Sequence, residues 1–157
     1  MFGITVSNMK AKILFMAVIS LLSPIALHAA GQKSVVISAY DTMKFSVTKI
    51  EASPGQKITV ELKNEGTLPK EAMGHNWILL TAGANASAYV SAAIRAKAQN
   101  FQPSSLSSEV IASISLLGPK ESAKVTFTAP KAPGNYTFLC SFPAHYQAGM
   151  SGLLVVK

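Results

Sequence analysis

Three segments of the chain alternate apolar and polar residues with a period of two. They read KITVELK (57–63), AKVTF (123–127) and NYTFLC (135–140), and turn sequences containing Gly, Pro or Ser precede them. Successive side chains of a β-strand point to opposite faces, so this alternation is typical of strands with one buried face. It also predicts that Cys140 points to the same side as the two aromatic rings of its strand, which is the core side if those rings are buried.

Further short apolar segments complete the prediction of an all-β fold. SVVIS (34–38), NWILLT (76–81) and GLLVVK (152–157) have the length and composition of strands. Strands of this length separated by turn signals favour a β-sandwich or small barrel of the Greek-key kind. One segment differs, because 85–101 is rich in alanine and lacks Gly and Pro until Pro103. We expect it to form a helical insertion between strands.

The N-terminus has the features of a secretory signal peptide. Two lysines precede the apolar run ILFMAVISLLSPIAL, which ends in small residues. The run is shorter than the ~20 residues that a membrane-spanning helix needs, and Pro24 interrupts it, so cleavage is favoured over a retained anchor. We expect 1–29 to be removed, with the cut after Ala29 or Ala30, leaving a single domain over 30–157.

This segment implies export, and the remaining composition excludes some functions. We expect a periplasmic protein, and its single cysteine, Cys140, cannot form an internal disulfide. The chain carries a net charge of +7, but its basic residues are scattered singly and form no run or stripe. Nucleic-acid binding is therefore not expected.

A short loop between the last two predicted strands contains three potential metal ligands. In CSFPAHYQAGM, Cys140 ends one strand, His145 follows after four residues, and Met150 precedes the next strand. Proline stiffens this loop, and Gly149 and Gly152 allow its sharp turns. A second histidine, His75, stands at the start of another apolar strand in AMGHNWILL.

Two imidazoles, a thiolate and a thioether make up the ligand set of a blue-copper electron-transfer centre. In such a centre two His and one Cys form a trigonal plane, and a Met occupies a weak axial position. Every His and Cys of residues 30–157 belongs to this set. The composition thus predicts one type 1 copper ion bound by His75, Cys140, His145 and Met150.

Other uses of these residues remain open on the sequence alone. A lone cysteine is often a small buried hydrophobe, and zinc could occupy the same nitrogen and sulfur atoms, although methionine is a poor ligand for it. A thiol protease would need an Asn or Asp that orients its histidine, and Asn76 adjoins His75 rather than His145.

At these residues the sequence resembles the azurin and auracyanin family of small blue-copper proteins, the cupredoxins. The similarity includes DTMKF (41–45), GTLPKEAMGHNW (66–77), the predicted helical insertion and CSFPAHYQAGMSGLLVVK (140–157). It implies an eight-stranded Greek-key β-barrel or sandwich with copper near one end. It also implies that the strong ligands are His75, Cys140 and His145 and that the axial ligand is Met150. The backbone carbonyl of Gly74 would make a second weak axial contact. Asn76 and Ser141 would tie the two ligand segments together.

Two features depart from typical azurins. Four residues, YQAG, separate His145 from Met150, as in auracyanin, whereas azurins have three. Azurins also carry a disulfide, for which this chain lacks the cysteines. The longer loop bears on whether the carbonyl of Gly74 approaches the copper.

The resemblance implies a one-electron carrier that cycles between Cu(I) and Cu(II), not an enzyme. Electrons would pass through an apolar docking patch around His145 to redox proteins such as a c-type cytochrome or a copper or haem reductase or oxidase, with no small-molecule substrate. The residues expected to form this patch are Met43, Leu68, Ala72, Met73, Phe142 and Ala144. A copper chaperone, or an exported β-sandwich interaction module without metal, is the alternative.

Overall fold

The computed structural model describes residues 1–3 and 31–157, and residues 31–157 contain two β-sheets that share one hydrophobic core. The predicted signal peptide falls mostly in 4–30, outside the described residues, and so does its cleavage site. Among the residues described, none of the helices combines the length and the apolar composition of a membrane-spanning segment.

Nine strands are present in the part of the chain that the structure describes. They are β1 Lys33–Tyr40, β2 Lys44–Phe45, β3 Lys49–Ala52, β4 Lys57–Asn64, β5 His75–Leu80, β6 Val110–Leu117, β7 Ser122–Thr128, β8 Gly134–Leu139 and β9 Ser151–Val156. All six segments predicted as strands form strands, and their ends agree with the prediction within one or two residues.

The strands form sheets of order β2-β1-β4-β7 and β3-β9-β8-β5-β6. β1 pairs with β4 and β3 pairs with β9 in parallel, whereas the other pairs are antiparallel. Residues 44–52 cross between the sheets, because β2 joins the first and β3 joins the second. This division of one segment accounts for nine strands where the resemblance implied eight, and the all-β fold class is confirmed.

The alternating pattern of the strands determines what the sheets bury. In β4, Ile58, Val60 and Leu62 are fully buried, and burial of each such side chain contributes about 1.5–3 kcal/mol. On the opposing sheet, the Trp77 ring lies 5.6 Å from the ring of Phe138. The two sheets thus meet in one core to which both contribute aromatic rings, since Phe127 of the first sheet lies 6.0 Å from Trp77.

The helical segments lie between the strands. They are α1 Lys70–Met73, α2 Ala86–Ala93 and two 3-10 helices, Lys97–Gln99 and Ser104–Glu109. The side chain of Asn85 caps α2 by accepting a hydrogen bond from the Ala88 N–H, at 3.0 Å.

The predicted helical insertion at 85–101 lies between β5 and β6 and consists of α2 and a short 3-10 helix rather than one continuous helix. The α-helix ends at Ala93, and after the short 3-10 helix Asn100 and Phe101 adopt left-handed backbone conformations, with φ of 54° and 60°. Alanine content favours a helix locally, but the end of the segment is held by contacts with the rest of the domain that are described below.

Candidate metal centre

The sheet pairing brings the predicted ligands to one end of the second sheet. β5 and β8 are antiparallel neighbours, with Ile78 opposite Leu139. The start of β5 therefore lies beside the end of β8. His75 is the first residue of β5, and Cys140 directly follows β8.

His75, Cys140 and His145 form a compact, buried group. Their ligand atoms all lie within 4.8 Å of one another. The Cys140 sulfur is 3.4 Å from Nδ1 of His145, and the two imidazole rings have centroids 4.9 Å apart. None of the three side chains is more than 1 % exposed, and Met150 is fully buried. The geometry brings the three predicted strong ligands together, while the axial role of Met150 remains a prediction.

Both histidines are held in the form that binds metal. Burial lowers the pKa of His75 to about 4. The charge of Asp41 and a contact with the Tyr40 backbone act in the opposite direction and raise this pKa in part. The contact with Tyr40 does not meet the geometry of a hydrogen bond. Burial and the neighbouring His75 lower the pKa of His145 to about 4. Neither ring nitrogen of His75 has a hydrogen-bond partner among the described residues. Neutral imidazoles with available lone pairs are suited to metal ligation.

The cysteine needs a cation to become a thiolate. Burial raises the pKa of Cys140 to about 12, and the backbone N–H groups of Asn76 and Phe142 lower it only in part. A coordinated metal ion deprotonates such a thiol. Two imidazoles and one thiolate, with a thioether at the loop end, fit copper better than zinc, because zinc in a structural site takes four strong ligands.

The loop between β8 and β9 is closed by its own backbone. The Cys140 N–H donates to the Met150 carbonyl at 3.1 Å, and the Met150 N–H donates to the His145 carbonyl at 2.9 Å. Gly149 has a φ of 89°, as its expected role in a sharp turn requires. Gly152 has a different role, since it lies in β9 and a Cβ there would be 2.4 Å from the Thr48 carbonyl.

A lysine from the other sheet holds the four-residue spacer YQAG. The ammonium group of Lys44 in β2 donates a hydrogen bond to the carbonyl of Ala148, which is 104 positions away in sequence. It therefore anchors the segment whose length distinguishes this loop from that of typical azurins. The motif DTMKF contains this lysine, but the sequence does not indicate its contact.

Asn76 and Ser141 join the two ligand-bearing segments, as the resemblance implied. Asn76 Nδ2 donates to Ser141 Oγ at 2.8 Å, and the Ser141 N–H donates to Asn76 Oδ1 at 2.8 Å. The carbonyls of Asn100 and Phe101 accept further hydrogen bonds from Asn76 Nδ2 at 3.2 Å and from Ser141 Oγ at 2.6 Å. These two acceptors were missed, because a backbone carbonyl leaves no mark in the sequence.

Position 74 requires glycine, because the backbone and side chains around it leave no room for a Cβ atom. Its N–H donates to the Lys70 carbonyl at 2.9 Å, and a Cβ would lie 2.6 Å from that oxygen and 2.9 Å from Leu116 Cγ. A larger residue would displace α1 or β6 immediately before His75. The contact of its own carbonyl with copper remains a prediction.

The residues predicted to form the docking patch differ in exposure. Leu68, Ala72 and Ala144 are exposed, Met43 and Met73 are half-buried, and Phe142 is buried. The Phe142 ring lies 4.7 Å from the His145 imidazole. His145 itself is only 1 % exposed, so its ring lies beneath the surface rather than in it.

Comparisons with known proteins agree with this geometry. Residues 32–157 match the model of the family described as copper binding proteins, plastocyanin/azurin family. The chain is 41% identical over 119 residues to azurin from Bordetella pertussis, which covers 74% of this chain and 79% of that protein. It is 34% identical over 131 residues to auracyanin-B from Chloroflexus aurantiacus, covering 80% of this chain and 52% of the relative, so it spans about half that protein's length.

A solved structure shows the same fold. The reduced auracyanin from Roseiflexus castenholzii superposes with a TM-score of 0.70 at 34% sequence identity, covering 82% of this chain and 98% of that one. Copper is the cofactor that the ligand set and the family have in common. The chain belongs to the plastocyanin/azurin family of copper binding proteins.

Proposed function

We propose that the protein is a periplasmic one-electron carrier that cycles between Cu(I) and Cu(II) and exchanges electrons with redox proteins. The observation that carries this proposal is the burial of the whole ligand group, since His75, Cys140 and His145 are at most 1 % exposed. A catalytic metal site keeps an open position for substrate. A site closed in this way favours outer-sphere electron transfer over chemistry on a bound molecule.

Bound copper supplies a one-electron couple. The contribution of the chain is to hold its ligands in one geometry and to exclude water. The hydrogen bonds between Asn76 and Ser141 fix the two ligand segments relative to each other, and the backbone bonds between Cys140 and Met150 close the loop. Ligands held this firmly move little when the oxidation state changes, and that favours rapid transfer.

The partner is proposed to be a redox protein, such as a c-type cytochrome or a copper or haem reductase or oxidase. The exposed side chains of Leu68, Ala72 and Ala144 support docking through a small apolar face, and transient redox complexes have small interfaces. Phe142, packed on His145, would lie between that face and the copper ligands. A chaperone that hands over its metal is not favoured, because it needs accessible ligands.

An absorption spectrum tests the metal site. The copper-loaded protein is expected to show an intense visible thiolate-to-copper charge-transfer band, which Cys140→Ala abolishes. Zinc-loaded wild type is the matched control and should be colourless. A protein that remains colourless with copper while binding zinc tightly would refute the electron-carrier proposal. Voltammetry should then give a reversible one-electron wave.

Location is tested separately. When the full chain is expressed in a Gram-negative host, the protein released by osmotic shock should begin at Ala30 or Gly31, which corresponds to cleavage after Ala29 or Ala30. An uncut chain retained in the membrane fraction would contradict a periplasmic carrier, without bearing on the copper site.

A further inference from the structure

The turn that ends the helical insertion has an unusual backbone. Asn100 and Phe101 are consecutive and both left-handed, with φ of 54° and 60°. Asparagine tolerates this region, but a bulky aromatic residue rarely adopts it. Phe101 is nevertheless buried, with 6 % of its surface exposed. Strained backbone of this kind persists only where the surrounding contacts enforce it.

Those contacts are with the residues that join the ligand segments. The Asn100 carbonyl accepts from Asn76 Nδ2 at 3.2 Å, and the Phe101 carbonyl accepts from Ser141 Oγ at 2.6 Å. Asn76 and Ser141 bond to each other twice, at 2.8 Å in both cases. Two successive carbonyls of the turn therefore complete one hydrogen-bonded group.

This group lies next to the copper ligands on two sides. Asn76 bonds to Ser141, the residue directly after Cys140, and its backbone N–H acts on the Cys140 thiol in the direction that lowers the pKa and favours the thiolate. The ring of Phe101 packs edge-on against Phe142, with centroids 5.0 Å apart, and Phe142 packs against His145 at 4.7 Å. The turn thus contacts both the cysteine side and the histidine side of the site.

We propose that the left-handed turn at Asn100 and Phe101 is a positioning element that holds the Asn76 N–H against the Cys140 sulfur and so raises the reduction potential of the copper. The inference rests on the proposed electron-carrier function, but the positioning of Asn76 by the turn can be tested without copper. The helical insertion is then a support of the site and not only a surface addition.

The direction of the effect follows from the charge on sulfur. A thiolate bound to Cu(I) carries more negative charge than one bound to Cu(II), because the metal withdraws less density from it. A hydrogen-bond donor to sulfur therefore stabilises the reduced form, and hydrogen bonding around the Cys sulfur is known to tune such sites. Loosening the turn weakens this donor and lowers the potential.

The test compares valine with glycine at position 100. Glycine accepts a φ of 54° without strain, whereas β-branched valine opposes it. Relative to Asn100→Gly, Asn100→Val is expected to reduce the equilibrium constant for one-electron reduction by about tenfold, as for a weakened hydrogen bond to a charged group, which corresponds to about 59 mV. Asn100→Gly should retain a potential near that of the wild type.

Gly55 provides the matched control. It has a φ of 73°, open space around it, and a position shortly after β3, at the end of the sheet opposite the ligand loop. Gly55→Val imposes the same conflict between valine and a left-handed backbone, also without a change of charge. It should lower the stability of the protein and leave the potential unchanged.

Hydrogen exchange in the apoprotein tests the positioning itself. In Asn100→Val, the Ser141 N–H, which donates to Asn76 Oδ1, should exchange faster than in Asn100→Gly, by more than the amides of β4 do. The comparison with β4 separates local loosening from a global loss of stability. Asn100→Ala provides a milder perturbation if the valine variant does not fold.

The outcomes are distinguishable. Equal potentials and equal Ser141 exchange in the valine and glycine variants would show that the turn has only a structural role and would overturn the proposal. A shift in Gly55→Val as large as that in Asn100→Val would also overturn it. If wild type shows no blue-copper band, the proposed function fails, while the exchange experiment still judges the positioning of Asn76.

Discussion

Removal of one buried hydroxyl should measure how firmly the two ligand segments are joined. Ser141 is 1 % exposed. Its Oγ accepts from Asn76 at 2.8 Å and donates to the Phe101 carbonyl at 2.6 Å. Ser141→Ala deletes both bonds and leaves the backbone bond to Asn76 Oδ1 in place.

The loss of stability in Ser141→Ala follows from the polar groups that are left without a hydrogen-bond partner. Asn76 Nδ2 keeps its bond to the Asn100 carbonyl, so it loses little. The Phe101 carbonyl loses the Ser141 donor, and a buried polar group left without a partner costs about 1–3 kcal/mol. We expect the free energy of unfolding of the apoprotein to fall by about 2 kcal/mol. For a domain of this size that corresponds to a fall in Tm of roughly 6 °C.

Urea unfolding of the apoprotein, followed by circular dichroism, gives the free energy and the m-value. Ser91→Ala is the matched control, because the Ser91 hydroxyl donates to the Ser87 carbonyl at 2.8 Å on the exposed face of α2. Its loss should change the free energy by less than about 0.5 kcal/mol. Ser141→Thr retains the hydroxyl and should recover most of the loss. Equal effects of Ser141→Ala and Ser91→Ala would refute the structural role assigned to Ser141.

Three further changes test other parts of the molecule. Met150→Leu should retain copper and colour and raise the reduction potential, because a weak donor that favours Cu(II) is removed; copper titration and voltammetry measure both. Lys44→Met should remove the bond to the Ala148 carbonyl, lower the free energy of unfolding by about 0.5–1 kcal/mol, and increase the mobility of residues 146–149 in NMR relaxation. Glu51→Gln should lower the Tm at pH 7, with a difference that shrinks as the pH falls towards 2.

The sign of the pH effect follows from the folded-state pKa. Hydrogen bonds from Lys49 and Lys157 lower the pKa of Glu51 to about 2. A carboxylate with a lowered pKa contributes fully above the unfolded-state value of about 4.3 and loses its contribution as the pH falls through about 2. Because the carboxylate is solvent-exposed, the effect is small. A constant Tm difference from pH 7 to pH 2 would contradict this assignment.

The predictions for Met150→Leu and Lys44→Met would each be contradicted by a specific result. Loss of copper binding in Met150→Leu would show that Met150 is more than a weak axial ligand. Lys33→Met is the control for Lys44→Met, because Lys33 donates to the Glu51 carbonyl at the other end of the domain. If both lysine variants left residues 146–149 equally rigid, Lys44 would not anchor the loop.

The ligand set was predictable because so few residues could supply it. Once residues 1–29 are set aside, the only histidines and the only cysteine are His75, Cys140 and His145, and the structure places all three within 4.8 Å. The strands were predictable where apolar side chains alternate, as in β4. β6 was not predicted, since VIASISLL places Ala and Ser among its alternating positions and weakens the contrast between faces.

The parts that were not predictable depend on long-range contacts of the backbone. The alanine-rich segment favours a helix to Phe101 on local grounds, but Asn100 and Phe101 give up helical geometry while bonding to Asn76 and Ser141. The bond from Lys44 to the Ala148 carbonyl likewise has no local signal. Propensity describes a segment alone, and at these places tertiary hydrogen bonds decide the conformation.

The parallel pairing of β3 with β9 also sets the order in which the domain can be completed. Lys49 lies opposite Leu153, so β3, near the start of the domain, can pair only after the segment around residue 150 has come beside it. Pairing between segments so distant in sequence is slow, because a long loop must close before any contact forms.

The three strong ligands lie at the start of β5 and in the loop after β8, so His75 joins Cys140 and His145 only when β5 pairs with β8. A chain that has not reached this step offers copper separate, mobile side chains rather than a site. Appearance of the blue colour during refolding would therefore report the pairing of β5 with β8, and its rate would measure that step in the assembly of the second sheet.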